Sequence, residues 1–230
     1  MKTVGMTLLV TLFTSFLFTA CAGNATGNKT NQEEKIVETQ GVIKLNEPDK
    51  SAGKSLMQAL SERKSVREFN GKEIGLNELS NLLWAANGIN RPKEGKRTAP
   101  SALNSQDVDI YVCMKDGAYL YDAKGGILKK VSDEDLRPAV AGSQTFVLQA
   151  PVSLVLVSDI SRFPGDDKAV NQMMGAMDAG IVSQNISLYC ASTGLATVPR
   201  ASMDKDSLKK SLKLSDTQIP LMNHPVGYHQ

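Results

Sequence analysis

Three cations and a hydroxyl crowd into the stretch Glu62-Arg63-Lys64-Ser65-Val66-Arg67-Glu68-Phe69. Arg63, Ser65 and Arg67 alternate, so an extended backbone would turn all three side chains to one side. Two guanidiniums and a hydroxyl aimed at one point match a phosphate, which takes forked donors and neutralising charge. The same residues also fit a solvated helix end, where cations oppose the macrodipole. The backbone from Arg63 onward decides between the two.

Other chemistries lack parts. The chain has two histidines, His224 and His229, both near its end, with no nucleophile elbow and no ligand spacing for a metal. His224 reads as structural or exposed rather than catalytic. Cys113 and Cys190 belong to no CxxC pair, which argues against zinc and thioredoxin-like chemistry and for buried thiols. Asp166 and Asp167 lie after Pro164-Gly165 and read as solvated turn residues. A net charge of +2 gives no broad basic footprint, so nucleic acid is not an expected partner.

The elements that must carry these residues begin after a targeting segment. Met6 to Ala20 is uncharged, follows Lys2, and is short for a membrane span. Thr19-Ala20-Cys21 resembles a bacterial lipobox, which predicts cleavage of residues 1–20 and lipidation of Cys21, with the protein exported and anchored to a membrane. Residues 21–49 are rich in Asn, Thr, Lys, Glu and Gly and read as a flexible tether.

Residues 50–230 read as one domain. Leu56, Met57 and Leu60 have helical spacing, and Leu76, Leu79, Leu82, Leu83 and Ala86 mark a second helix stopped at Gly88. A polar loop, Asn90 to Ser105, precedes strand patterns at Val108–Met114, Ala118–Tyr121 and Ile127–Val131, joined by Asp116-Gly117 and Lys124-Gly125-Gly126 turns. Asp133 to Leu148 looks helical with an interruption at Pro138. Val152–Val157 is a continuous apolar strand, as expected when both sheet faces are covered. Ala169–Thr193 reads as one long helix whose small residues, Gly175, Ala176, Ala179, Gly180 and Ser183, allow close backbone approach, which makes the helix central and lets it meet its copy in a dimer. A short strand from Leu195, a helix near Asp204–Leu212 and a last strand at Leu221–Tyr228 complete an α+β fold with a mostly antiparallel sheet flanked by helices.

Arg-x-Ser-x-Arg-x-Phe at Arg63–Phe69, Pro100-Ser101-Ala102-Leu103-Asn104-Ser105-Gln106, and Gly194-Leu195-Ala196-Thr197-Val198-Pro199-Arg200 occur in the order found in the FMN-dependent nitroreductase superfamily, which this chain resembles from Leu56 to Tyr228. Leu82–Gly88 and Arg97–Ala102 look most like its azoline-dehydrogenase branch. The resemblance implies a nitroreductase-like homodimer with FMN at the subunit interface. It gives Arg63, Ser65 and Arg67 the FMN phosphate, with Lys64 a helper, and lays Pro100 and Ser101 along the isoalloxazine ring. Asn104 inherits the ring's pyrimidine edge, which an amide matches by offering both donor and acceptor; without the resemblance it is an ordinary loop cap. Pro199, Arg200, Ala201 and Ser202 would bring backbone N–H groups to flavin N5, while the Arg200 side chain either reaches a phosphate or sits in solvent.

The implied activity is hydride transfer through FMN between a donor such as NAD(P)H and a small conjugated or nitroaromatic substrate, with a flavin- or ligand-binding lipoprotein lacking turnover as the alternative. The chain departs from the family pattern in three places. It ends at Gln230 without the basic residues that often follow the last strand, has Ala201-Ser202 where an acidic residue and glycine are common, and has Asp107 where proline is common.

Overall fold

The computed structural model describes Met1 and residues 34–230. Cys21, the apolar run before it and the first part of the expected tether lie outside these residues. Among the described residues no helix is long and apolar enough to cross a membrane.

The elements in order are β1 (Val42–Lys44), α1 (Leu56–Glu62), α2 (Leu76–Asn87), β2 (Ile89–Arg91), β3 (Lys96–Arg97), β4 (Val108–Met114), β5 (Gly117–Asp122), β6 (Ile127–Ser132), α3 (Arg137–Ala141), β7 (Val152–Asp159), α4 (Lys168–Thr193), β8 (Leu195–Thr197), α5 (Lys205–Ser211) and β9 (Gln218–Tyr228). Seven strands form one sheet in the order β1-β6-β5-β4-β7-β9-β8, and each of its pairings is antiparallel. Strands β2 and β3 make a separate small ribbon.

Helices cover both faces of the large sheet. In β7, Leu154 and Leu156 face a core shared with α2 and α4, while Val155 and Val157 face one shared with α3 and α5. A strand buried on both faces has no polar positions to alternate, which is why its sequence is a continuous apolar run. Helix α4 starts where the Asp167 carboxylate accepts from the N–H groups of Ala169 and Val170, and ends where Gly194 takes a left-handed φ of 82°. Asp167 is therefore a helix cap rather than a solvated turn residue.

Two further expectations change. The folded body starts before residue 50, because β1 pairs with β6 and Ile43 is buried. Asn46 N–H also donates to Ser80 Oγ at 2.9 Å, and Asp49 N–H to Asn81 Oδ1 at 2.8 Å, tying the segment to α2. Of Asp133–Leu148, residues Arg137–Ala141 are α-helical, with Pro138 in the first turn where its missing N–H costs no bond, and Thr145–Gln149 is a 3-10 turn. The helix expected from Leu56 forms, and its apolar residues Leu56, Met57 and Leu60 are exposed. The small residues of α4 divide: Gly175, Ala179 and Ser183 are buried, as a central helix requires, and a Cβ at Gly175 would collide with the Ser158 hydroxyl, while Ala176 and Gly180 are exposed. Cys113 and Cys190 are buried free thiols, as expected.

Candidate functional site

Helix α1 stops at Glu62, so the chain from Arg63 to Asn70 is not helical. Arg63 is the C-cap of α1, its N–H donating to Ala59 O, so the first cation of the stretch does stand at a helix end, and the residues after it leave the helix. Val66 N–H donates to Thr197 O at 2.9 Å, and Asn70 N–H to Tyr228 O at 3.0 Å, which lays the segment along the β8 edge of the sheet. Phe69 is buried with Ala150 and Ala196, and Val66 packs beside them. The apolar residues of the motif thus anchor it. Lys64, Ser65 and Arg67 are exposed and Arg63 is half-buried. Among the described residues no protein hydrogen bond or ion pair takes the side chains of Arg63, Ser65 or Arg67. Unspent charged donors held on a fixed backbone suit an anionic group.

The turn after β8 lies on the same edge. Pro199 is half-buried, and Arg200 exchanges both backbone bonds with Asn223, its N–H donating at 2.9 Å and its carbonyl accepting at 2.7 Å. Asn223 Nδ2 then donates to Ser202 O at 3.0 Å. Ala201 and Ser202 are exposed, and among the described residues their N–H groups have no acceptor. The Arg200 guanidinium neither reaches outward nor sits in solvent: the residue is 7% exposed. It donates to Gln144 Oε1, Val140 O, Asn223 Oδ1 and Ala141 O at 2.6–3.1 Å and lies over the Phe146 ring. Its backbone N–H is also spent on Asn223. Direct contact by Arg200 with a bound group is therefore a corrected expectation.

Pro100, Ser101 and Asn104 are anchored elsewhere. Ala102 N–H donates to Asp178 Oδ2 on α4 at 2.8 Å, and Gln106 N–H donates to Ser101 Oγ at 2.9 Å. Leu103, Asn104 and Gln106 have φ values of 54°, 56° and 47°, three left-handed non-glycine residues, interrupted by Ser105, that are strained unless their surroundings hold them. Arg97 does part of that holding, donating to Gln106 Oε1 and Asn87 O at 2.9 Å, and burial lowers the pKa of its guanidinium. Asn104 and Leu103 project as exposed residues from this braced loop. No hydrogen bond among the described residues joins it to the Arg63–Arg67 segment or to the turn at Ala201.

Beneath the loop lies an acid pair that sequence reasoning missed. Asp107 is fully buried; its Oδ2 accepts from Ser158 Oγ at 2.5 Å, and its Oδ1 finds no donor among the described residues. Burial raises its pKa well above the usual carboxylate range, Ser158 opposes that, and the neighbouring Asp178 raises it further. Protonation would turn the Asp107 carboxyl from a buried charge into a hydrogen-bond donor. The available signals were Asp107 standing where proline is common, and Asp178 falling on the inward stripe of α4 with Gly175 and Val182. His224 is also buried, between Ser183 Oγ on Nε2 at 2.7 Å and Thr197 Oγ1 on Nδ1 at 3.2 Å; it is structural, and burial pushes its pKa down to about 3.

Residues 60–228 match the model of the Nitroreductase family. A Methanocaldococcus jannaschii protein named "Putative nitroreductase" is 30% identical over 183 residues, covering 75% of this chain and 90% of its own. A Bacillus subtilis protein named FMN reductase (NAD(P)H) is 24% identical over 187 residues, 75% of this chain and 65% of its own. A solved structure from Ralstonia eutropha, titled as a nitroreductase of the same provisional kind, superimposes with a TM-score of 0.78 at 37% identity, over 86% of this chain and 94% of that one. With the family's sequence signature spanning most of the chain and its sheet and flanking helices reproduced, the chain belongs to the Nitroreductase family and is an oxidoreductase.

Proposed function

We propose that the protein is an FMN-dependent oxidoreductase that works as a homodimer, taking hydride from a donor such as NAD(P)H and passing it to a small conjugated or nitroaromatic acceptor. The observation that carries this reading is the pair of unspent guanidiniums, Arg63 and Arg67, flanking Ser65 on a backbone pinned to β8, beside a turn whose Ala201 and Ser202 N–H groups are also free. Bound there, FMN would supply the hydride chemistry itself.

The chain's own residues do the rest. Arg63, Ser65 and Arg67 hold the phosphate, with Lys64 at its margin. The N–H groups of Ala201 and Ser202 offer donors to the ring atom that receives hydride. Pro100, Ser101 and Asn104 sit on a different anchorage, so a complete site takes them from a second copy of the chain. The exposed apolar residues Val170, Met173, Met177 and Ile181 of α4, with Leu56, Met57 and Leu60 of α1, supply a surface for that copy. The azoline-dehydrogenase-like motifs at Leu82–Gly88 and Arg97–Ala102 favour a substrate dehydrogenation run in the reverse sense. Export and lipid anchoring through Cys21 are part of the same proposal, supported by Thr19-Ala20-Cys21 after an uncharged run.

The test compares binding of FMN and riboflavin by the purified domain, followed by flavin absorbance and calorimetry. FMN is expected to bind far more tightly than riboflavin, and the bound flavin to bleach with NAD(P)H and recover with a nitroaromatic acceptor. Arg67→Ala removes a charge-assisted contact of about 2–5 kcal/mol and is expected to weaken FMN about thirtyfold or more. Lys124→Ala, on the turn between β5 and β6, serves as the control. Equal affinity for FMN and riboflavin in the parent refutes the phosphate assignment, and flavin that no donor reduces favours a binding protein over an enzyme.

A further inference from the structure

We propose that Arg200 is a positioning residue whose buried, unneutralised charge makes the site prefer reduced over oxidised FMN; this rests on the FMN reading above.

The four acceptors around the guanidinium are all neutral: three are carbonyl oxygens of Val140, Ala141 and the Gln144 side chain, and the fourth is Asn223 Oδ1. Among the described residues no carboxylate touches it. The charges it meets make its position worse, because burial lowers its pKa and Arg67 lowers it further by like-charge repulsion. Arg67 reaches this neighbourhood because its segment is pinned to β8 at Thr197, and because Phe69, Ala196 and Phe146, the ring under Arg200, share one small core.

A helix cap alone does not need this arrangement. Val140 and Ala141 are the closing residues of α3, and a neutral donor would satisfy their carbonyls without burying a cation. Removing a charge from water costs several kcal/mol when no countercharge offsets it, and a second guanidinium nearby adds to that cost. Local rules broken in this way mark places where function sets the residue. What relieves an excess of positive charge is an arriving negative one.

Hydride brings it. A hydride is two electrons and one proton, so its transfer from a nicotinamide adds one negative charge to the flavin while the donor becomes one unit more positive. The field of Arg200 favours the flavin in that state; Arg67, spent on the phosphate in both redox states, does not distinguish them. Arg200 does so without touching the ring: its backbone and Asn223 fix the turn, Asn223 holds Ser202 O, and the free Ala201 and Ser202 N–H groups are presented by that clamp.

The deciding experiment is Gln144→Glu. Gln144 is exposed and accepts from Arg200 Nε at 3.0 Å, so glutamate keeps the acceptor and adds the missing countercharge. Bound FMN would be equilibrated anaerobically against a reference dye to give the ratio of reduced to oxidised affinity. Gln144→Glu is expected to lower the preference for reduced FMN about tenfold while thermal stability is kept or raised. Arg200→Gln is expected to lower it as well and to cost stability, and Arg200→Lys to retain the preference at reduced stability. An unchanged ratio in Gln144→Glu, with FMN still bound, overturns the proposal and leaves Arg200 a helix cap. Should Arg200→Gln fail to fold, the Gln144→Glu result stands alone. Failure of the parent to distinguish FMN from riboflavin would instead refute the phosphate reading, so the two failures separate.

Discussion

Replacing Asp107 with asparagine tests the buried acid pair directly. In the folded chain the Asp107 pKa is raised from 3.8 to about 7, chiefly because burial penalises the carboxylate, with Asp178 adding to it against the pull of Ser158. A raised acid pKa means the folded state holds a proton that the unfolded chain gives up above pH 3.8. Its stabilising effect is therefore complete below that pH and is lost as pH rises to about 7. Over about three pH units at about 1.4 kcal/mol each, the ceiling is about 4 kcal/mol. The substituted asparagine cannot titrate, and its amide copies the protonated acid: Oδ1 accepts from Ser158 and Nδ2 donates toward Asp178. The other charge facing Asp107 is Arg162, which is already tied to Asp109 at 2.5 Å.

The assay is chemical denaturation of parent and Asp107→Asn at intervals from pH 4 to 8.5. The two should have similar stability near pH 4 and diverge as pH rises, with the variant more stable by up to about 4 kcal/mol at pH 8. The difference curve removes every group the substitution leaves alone. Parallel curves across the range would refute the raised pKa and leave Asp107 an ordinary buried carboxylate.

Two further outcomes test the surface and the core. Met177 is 62% exposed in the middle of the apolar stripe on α4, so Met177→Asp is expected to convert a homodimer to monomers and to lose FMN with it, measured by light scattering and flavin absorbance; a monomer that binds FMN normally would sink the two-chain site. His224, with a pKa lowered to about 3 by burial, is expected to remain neutral with its proton on Nδ1, because the Thr197 hydroxyl already donates to Pro225 O and can only accept from the ring. Its contribution to stability is present above the unfolded value of 6.5 and falls away as pH drops toward 3, and nitrogen NMR showing a charged imidazole at pH 5 would contradict it.

Most of what periodicity can encode was legible. Strands β4 to β7, the long helix α4 and its glycine stop follow from alternation, 3.6-residue spacing and turn chemistry, which act over a few residues. What escaped was set by contacts distant in sequence. Strand β1 is three residues in a polar stretch, recognisable as a strand through β6, more than eighty positions later. Asp107 and Asp178 are separate acids in the sequence and become a pair when α4 crosses β4, helped by the missing side chain at Gly175. Arg200 could be read as a free cation because its four acceptors are two backbone carbonyls and two neutral amides distant in sequence, which no charge pattern announces.

Helix α1 shows a different limit. Leu56, Met57 and Leu60 carry a helical spacing, and the helix does form over Leu56–Glu62. Yet these residues are 63%, 74% and 47% exposed in the single chain. An amphipathic pattern records that a face is to be kept from water without recording which molecule covers it. Met173 and Met177 of α4 pose the same question, and methionines at an exposed helix face are soft enough to pack against an irregular partner. The proposed site, divided between Arg63–Arg67 on one anchorage and Pro100–Asn104 on another, would draw on such a partner. If one cover serves both purposes, charge at Met177 should separate the chains and dissolve the flavin site in the same titration.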